Sequence, residues 1–205
     1  MVHEKSNPIR LLITAFEPFN QQSDNSSLDV LNHLSIQMKH AEIIKRVLPV
    51  TYDHLRYSKL IESERPTIIL HLGEASNRDK ISLERRAVNL MHASIPDNLG
   101  TIKQNELILS NGPNELFSTI PIESLYESLF TLGLPIEISD SAGQFICNQA
   151  LYCSLNHVRE HQLNIQVGFI HFPRLNHQVN KPGMISLPLE TALNTLENII
   201  QRLVH

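Results

Sequence analysis

The chain has little of what several classes of protein need. It contains two cysteines in 205 residues, too few for a disulfide framework, and no run rich in lysine or arginine. Its net charge of −4 and pI near 6.2 contrast with the basic stripe that nucleic-acid binding requires. No apolar stretch reaches the roughly 18 residues of a membrane helix, and the polar N-terminus is unlike a signal peptide. We therefore expect a soluble, reduced, cytoplasmic protein that binds neither nucleic acid nor membrane.

Metal-binding patterns are also missing. None of the 11 histidines takes part in an H-E-x-x-H motif. The two cysteines, Cys147 and Cys153, are six residues apart, a spacing typical of neither a zinc site nor a redox pair. The sequence therefore predicts no metal site.

What the sequence does contain is an alternation of short apolar runs and longer helical patterns. Apolar runs predict strands at 9–16, 42–50, 67–73, 164–173 and the start of 134–143, with 81–91 extended. Helical spacing predicts helices at 23–40, 51–65, 121–133, 144–162 and 187–204. Strands that alternate with helices favour an α/β sandwich around a mostly parallel sheet. The length fits a single domain over residues 1–205.

Cys147 lies where a glycine-bearing loop meets a predicted helix. A thiol in the first turn is close to the positive end of the helix dipole, which favours the reactive thiolate. Unpaired N–H groups there are able to hold an oxyanion. The alternative is a buried, inert cysteine, and local sequence alone favours it. Cys153, in the middle of the helix, is expected to pack in the core.

Two other residues are candidates for chemistry. His171 ends the apolar run VGFI, and catalytic groups of open α/β sheets gather at the carboxyl ends of strands. It is placed to act as a general base for a thiol, although a chain with 11 histidines has one near a strand by chance. Glu84 interrupts a strand-like run, ISLERRAVN. It is either half of a surface ion pair with a neighbouring arginine or a carboxylate that orients a histidine.

Five segments together resemble the pyrrolidone-carboxylate peptidase (pyroglutamyl peptidase I) family of cysteine peptidases. They occur in the family's order and at about its spacing: TAFEPFN (14–20), GEASNRDKISLERRAVN (73–89), IPDNLG (95–100), SDSAGQFICNQALYCSL (139–155) and GFIHFP (168–173). The resemblance implies a single three-layer α/β/α sandwich. It also implies an enzyme that removes an N-terminal pyroglutamyl residue from peptides, without a metal or organic cofactor, commonly as a homotetramer.

The resemblance assigns roles to individual residues. Cys147 is expected to be the nucleophile, His171 the general base, and Glu84 the acid that orients His171. The neutral lactam ring of the substrate should be recognised by apolar walls and a few hydrogen bonds. Phe16, Phe19 and Phe145 match positions that line the ring pocket, although each phenylalanine has core packing as an alternative.

The first motif departs from the family pattern, which usually reads T-G-F-x-P-F-G-G and then N-P-S. Ala15, Asn20 and Gln21 replace its three glycines, and Ser26 replaces its proline. We expect these changes to alter the loop conformation at the rim of the pocket.

Two further departures concern polar groups. Glu74 replaces the glutamine of the family's G-Q-A-G-G-R, and an ionised carboxylate only accepts hydrogen bonds. It is therefore expected to bind the lactam N–H but not to donate to the lactam carbonyl. Ser94 stands where many bacterial members carry an arginine that is thought to support the oxyanion region, and Arg78 or Arg174 are candidates to replace it.

Three hypotheses follow. The first is an active pyroglutamyl peptidase. The second is a divergent relative with the same fold and triad but weak or altered specificity for an N-terminal lactam or acyl group. The third is a non-catalytic α/β binding module, which the intact Glu84, Cys147 and His171 argue against.

Overall fold

A six-stranded sheet covered by helices on both faces forms the body of the protein in a computed structural model that describes residues 8–205. The strands are β1 (Ile9–Phe16), β2 (Ala41–Leu48), β3 (Ile68–Glu74), β4 (Ile81–Glu84), β5 (Arg86–Val88), β6 (Glu115–Phe117), β7 (Ile136–Ser139) and β8 (Gln166–Phe172). The helices are α1 (Ser26–His33), α2 (Leu55–Glu64), α3 (Ile122–Thr131), α4 (Ile146–Glu160) and α5 (Leu189–Leu203), with a short 3-10 helix at Asn176–Gln178.

The sheet is mixed but mostly parallel. Its strand order is β2-β1-β3-β8-β4-β7, and β2, β1, β3 and β8 run parallel to one another. β4 runs antiparallel to β8 and parallel to β7. β5 and β6 form a separate antiparallel pair. The predicted single-domain α/β fold with a mostly parallel, mixed sheet is confirmed.

The core consists of two layers, one on each face of the sheet. Alternate residues of a strand point to opposite faces, so Leu11 and Ile13 of β1 pack beneath α1, α3 and α5, whereas Leu12 and Phe16 pack beneath α2 and α4. The central strands are nearly continuous apolar runs because helices bury both faces. This arrangement is the three-layer sandwich that was expected.

Strand register brings the ends of β3, β4 and β8 together. Gly73 of β3 lies beside His171 of β8, and Ser82 of β4 lies on the other side of the same histidine. Phe169, two residues before His171, packs in the layer beneath α2 and α4. His171 therefore shares the face of the sheet that α4 covers.

Some boundaries differ from the predicted ones. The strands at 9–16 and 67–73 and the five helices are present, but α1 ends at His33 instead of reaching residue 40, and β6 was not predicted. Within residues 8–205, no helix is long and apolar enough to cross a membrane. That one domain spans the whole of residues 1–205 stays a prediction, because residues 1–7 lie outside the described part.

Candidate active site

Cys147 is the second residue of α4, directly after the loop that follows β7. The helix begins without a side-chain cap: Phe145 is its N-cap residue and makes no capping hydrogen bond. The N–H groups of a first helical turn have no partner within the helix. The thiol therefore lies beside unpaired backbone donors, as the sequence predicted.

The two residues after Cys147 hold the first turn of α4 in place. The side chain of Asn148 accepts from Val88 N (2.9 Å) and donates to Val88 O (2.8 Å) and Leu90 O (3.0 Å). The side-chain oxygen Oε1 of Gln149 accepts a hydrogen bond from Asp53 N at 3.2 Å. Both side chains are buried and have their hydrogen bonds satisfied within the fold. They fix the position of the thiol relative to the sheet.

The absence of a side chain at Gly73 lets the thiol approach β3. A Cβ at residue 73 would lie 3.0 Å from Cys147 Sγ and 2.8 Å from Cζ of Phe169. Gly73 is also the register neighbour of His171, and the ring centroids of Phe169 and His171 are 4.6 Å apart, with the ring planes tilted by 44°. Cys147 and His171 therefore contact the same small area of sheet, although no direct hydrogen bond joins them.

His171 and Glu84 form a buried hydrogen-bonded pair. Nδ1 of His171 is 2.7 Å from Oε1 of Glu84, and the two residues are 4% and 0% exposed. Because a carboxylate only accepts, the proton of this bond belongs to Nδ1. This tautomer leaves Nε2 of His171 with its lone pair available as a base. We call Cys147, His171 and Glu84 the Cys–His–Glu cluster.

Arg78 supports the acidic member of this cluster. Its Nη1 donates to Glu84 Oε1 at 2.5 Å, and its Nη2 donates to Ser141 O at 2.9 Å. Glu84 thus pairs with an arginine and with a histidine, but it is fully buried and its arginine lies outside the run ISLERRAVN, so this is not the surface ion pair that was weighed as the alternative. Since Ser141 belongs to the loop before Cys147, Arg78 also ties Glu84 to the segment that carries the predicted nucleophile.

A backbone hydrogen bond at the helix end lowers the pKa of the Cys147 thiol, which is the expected direction, but burial outweighs it. Burial, and after it the negative charge of Glu84, raise the pKa of the Cys147 thiol to about 12, against smaller lowering effects that include the charge of Arg78. The thiol is therefore protonated at neutral pH, and its deprotonation needs a base. Burial likewise raises the pKa of Cys153 to about 12, in agreement with its predicted place in the core.

A small cavity lies beside Cys147. We call it the aromatic cavity, and it is lined by Phe16, Phe19, Asn25, Val50, Glu74, Phe145, Ile146 and Cys147. The structure thus brings together all four residues predicted for substrate binding with the predicted nucleophile. The ring of Phe145 packs against Phe19 (centroids 6.2 Å apart) and edge-on against Tyr52 (5.6 Å).

Glu74 is the acidic wall of the aromatic cavity and is 9% exposed. Its Oε2 accepts from Ser26 N and from Gln178 Nε2, both at 2.8 Å. Its Oε1 is buried and has no hydrogen-bond partner. One carboxylate oxygen is therefore available to a donor in the cavity.

The rim of the aromatic cavity is the loop between β1 and α1. Asn20 and Gln21 have φ values of 53° and 61°, in the left-handed region that glycine favours. Two non-glycine residues thus adopt backbone conformations that suit glycine, and the expected change in loop conformation stays a prediction. Asn98 of the IPDNLG turn donates to Glu17 Oε1 and to Pro18 O, both at 2.9 Å, and so holds the rim.

The two arginines considered as substitutes at Ser94 have other partners. Ser94 is exposed, Arg174 donates to Ser76 O at 2.8 Å, and Arg78 is bound to Glu84 and Ser141. The backbone N–H groups at the start of α4, which carries Cys147 as its second residue, remain candidate oxyanion donors.

A cysteine beside a histidine–carboxylate pair, at a helix start and next to an enclosed cavity, is typical of cysteine-type hydrolases. Among residues 8–205, no group of three or more histidine, cysteine, aspartate or glutamate side chains is arranged to hold a metal ion.

Comparison with known proteins defines the family. The family model described as pyroglutamyl peptidase matches residues 9–205. The pyrrolidone-carboxylate peptidase 1 of Caldanaerobacter subterraneus subsp. tengcongensis is 38% identical over 200 residues, covering 96% of this chain and 98% of the relative. That of Thermococcus onnurineus is 34% identical over 195 residues, covering 94% and 98%. The crystal structure of pyrrolidone carboxyl peptidase from Pyrococcus furiosus superposes with a TM-score of 0.90 at 34% identity, covering 96% and 98%.

The chain therefore belongs to the pyroglutamyl peptidase family, cysteine-type peptidases that remove an N-terminal pyroglutamyl residue from peptides.

Several residues at the site were not found from the sequence. Val50 lines the aromatic cavity, Gly73 gives the thiol its space, and Gln178 binds Glu74. Arg78 was weighed only as an oxyanion donor and not as the partner of Glu84. Its position six residues before Glu84, in a segment already singled out, was the available signal.

Proposed function

We propose that the chain hydrolyses the bond after an N-terminal pyroglutamyl residue with Cys147 as nucleophile, His171 as general base and acid, and Glu84 as the residue that orients His171. The observation that carries this proposal is the buried 2.7 Å hydrogen bond between His171 and Glu84, at the strand ends beside the thiol. It leaves Nε2 as the basic nitrogen of His171.

The reaction has two halves. In the first, the Cys147 proton passes to Nε2 of His171 while Sγ bonds to the pyroglutamyl carbonyl carbon, giving a tetrahedral oxyanion. N–H groups at the start of α4 stabilise that oxyanion. His171 then gives its proton to the leaving amine, the C–N bond breaks, and a thioester remains. In the second half, His171 takes a proton from water, which attacks the thioester and releases pyroglutamate and the thiol.

The raised pKa of Cys147 makes His171 necessary in the first half. A thiol with a pKa of about 12 is protonated in the free enzyme at neutral pH, so little thiolate exists before the base acts. Glu84 compensates the positive charge that His171 gains, because its buried carboxylate is hydrogen-bonded to Nδ1, the ring nitrogen that does not take the thiol proton.

Recognition of the substrate ring is proposed for the aromatic cavity. Phe16, Phe19 and Phe145 supply apolar walls, and Oε1 of Glu74 accepts the lactam N–H. An acceptor-only group at this position also supports a second candidate function, a family member with an altered lactam specificity. A kcat/KM on pyroglutamyl substrates in the range usual for enzymes would exclude that candidate.

The test is release of the chromophore from a pyroglutamyl arylamide. We expect Cys147→Ser to lower kcat by at least about 10³-fold, because a serine hydroxyl is a far weaker nucleophile than a thiol in this environment. Cys153→Ser is the matched control, since Cys153 is a buried residue of α4 that does not line the aromatic cavity. Normal turnover by Cys147→Ser would overturn the proposal. An equal loss of turnover in Cys147→Ser and Cys153→Ser, compared at the same concentration of folded protein, would also overturn it.

We also propose that the enzyme is a cytoplasmic homotetramer. The family resemblance supports the tetramer, and the free thiols of Cys147 and Cys153 support a reducing compartment. Light scattering on the eluted protein tests the oligomer, and a mass other than four chains would contradict it. Fractionation of the source cells tests the location, and recovery outside the cytoplasm would contradict it.

A further inference from the structure

Gln178, at the end of the 3-10 helix after β8, joins three segments through one side-chain amide. Its Nε2 donates to Glu74 Oε2 at 2.8 Å and to Asp24 Oδ1 at 2.9 Å, and its Oε1 accepts from Leu175 N at 2.6 Å. Both amide hydrogens thus point at carboxylates, and the amide oxygen accepts a hydrogen bond from a backbone N–H. A flipped amide would place its oxygen against two carboxylates, so the orientation of this side chain is fixed.

The two carboxylate oxygens of Glu74 consequently differ in their hydrogen bonding. Oε2 has two donors, Gln178 Nε2 and Ser26 N, whereas Oε1 is buried without any. A buried acceptor that lacks a donor costs free energy, and a ligand that brings a donor recovers it. Because Glu74 lines the aromatic cavity, the cavity is where that donor can be supplied.

We propose that Gln178 is a positioning residue that sets the specificity of the site: by holding Oε2 of Glu74, it turns Oε1 towards the aromatic cavity and makes the enzyme select rings that carry an N–H. The inference rests on the proposed function, because it takes the aromatic cavity as the place of the lactam ring. It goes further in assigning the selection to a residue that does not contact the ring.

The chemical consequence is a strong preference for a nitrogen in the ring. A carbocyclic analogue, with CH₂ in place of the ring N–H, would leave Oε1 of Glu74 buried and unpaired. A site built to bind a substrate donor rejects the analogue that lacks it, because its own polar group then has no partner.

The test measures kcat/KM for the pyroglutamyl arylamide and for its carbocyclic analogue, and takes their ratio. This ratio does not depend on the amount of folded enzyme, so partial unfolding of a variant does not affect it. For a hydrogen bond to a charged group we expect a ratio of about 10 to 150 in the unmodified protein. Gln178→Leu should lower the ratio about tenfold through KM of the lactam substrate, because the contact is made in the ground state and the transition state alike.

Further variants distinguish a positioning role of Gln178 from a general disturbance of the structure. In Glu74→Ala the ratio should be close to one, and adding Gln178→Leu to it should change nothing more, because Gln178 acts through Glu74. Gln201→Leu is the matched control, since Gln201 is exposed on α5 and distant in sequence from the 3-10 helix. It should keep the ratio of the unmodified protein.

An unchanged ratio in Gln178→Leu would overturn the inference, as would a further fall of the ratio in the double variant or an equal fall in Gln201→Leu. These outcomes differ from failure of the proposed function. That failure would appear as turnover of the pyroglutamyl arylamide by Cys147→Ser, whatever the ratio.

Discussion

The Cys–His–Glu cluster and the rim of the aromatic cavity lie at the same edge of the sheet but differ in how they are held. His171 and Glu84 stand on buried strands, and their shared hydrogen bond is reinforced by Arg78. The rim is a loop in which Asn20 and Gln21 have positive φ. Strands thus carry the proposed base and acid, and a loop with positive φ carries part of the proposed recognition surface. Of the departures from the family pattern, Asn20 and Gln21 lie on this loop, whereas Ala15 lies in β1 and Ser26 begins α1.

The largest expected effect comes from Glu84→Gln in the Cys–His–Glu cluster. The amide keeps the shape of the side chain but cannot stabilise a positively charged His171, and it allows the wrong histidine tautomer. We expect kcat to fall about 10³- to 10⁴-fold, the loss seen when an acid of such a triad becomes an amide. Steady-state kinetics on the arylamide measure it.

Glu137→Gln is the control for Glu84→Gln. Glu137 lies on the neighbouring β7 and accepts from Ser82 Oγ at 2.7 Å, so it shares the sheet but not the cluster. Its kcat should stay within about twofold of the unmodified protein, as for a substitution away from the reacting groups. Equal losses in both variants would show that Glu84 matters to the fold alone.

A smaller effect is expected from Gly73→Ala, which tests the contact between the thiol and the sheet. The added Cβ would lie 3.0 Å from Cys147 Sγ and 2.8 Å from the Phe169 ring. Moving the nucleophile by a fraction of an ångström should lower kcat about 10- to 100-fold. Overpacking should also cost about 1–3 kcal/mol of unfolding free energy. Kinetics and urea unfolding measure the two effects.

Gly168→Ala separates these two effects. Its Cβ would lie 2.2 Å from Ile120 Cδ1 on the opposite face of β8, so it overpacks the core without touching the thiol. It should lower stability, while kcat per folded molecule is kept. If Gly168→Ala lowered kcat as much as Gly73→Ala, the space around Cys147 Sγ would have no special role.

The smallest expected effect is on the rim. Gln21→Gly removes the strain of a left-handed glutamine, about 1–2 kcal/mol, against an entropic cost of roughly 0.5–1 kcal/mol for glycine. We expect a net gain of about 0.5–1 kcal/mol in thermal or urea unfolding, with kcat/KM unchanged. Gln22→Gly is the control, because Gln22 does not have positive φ, and it should lose stability. A loss of stability in Gln21→Gly would contradict the described backbone.

The fold was largely predictable because its signals are local. β1 and β3 are continuous apolar runs, as both-side burial requires, and α5 is strongly amphipathic. The end of α1 was not predictable from spacing, because Ile36 and Met38 pack on the core from irregular backbone and so imitate a helical period. β6 was missed because it has three residues and is defined only by its pairing with β5.

The site was predictable where family motifs carried it and not where contacts between distant segments decide it. Cys147, His171 and Glu84 were identified by the resemblance, and local sequence alone favoured a buried cysteine. The contact of Gln178 with Glu74 spans 104 residues and has no sequence signal. The raised pKa of Cys147 was also missed, because the helix end is visible in the sequence and the burial that outweighs it is not.

The most direct test of the account is to identify the covalent intermediate. The protein is mixed with a pyroglutamyl arylamide, quenched in acid within the first turnovers, and mapped by peptide mass spectrometry. We predict one pyroglutamyl group in thioester linkage on Cys147, and none on Cys153. Steady turnover with no adduct, or an adduct on any residue other than Cys147, would contradict the account.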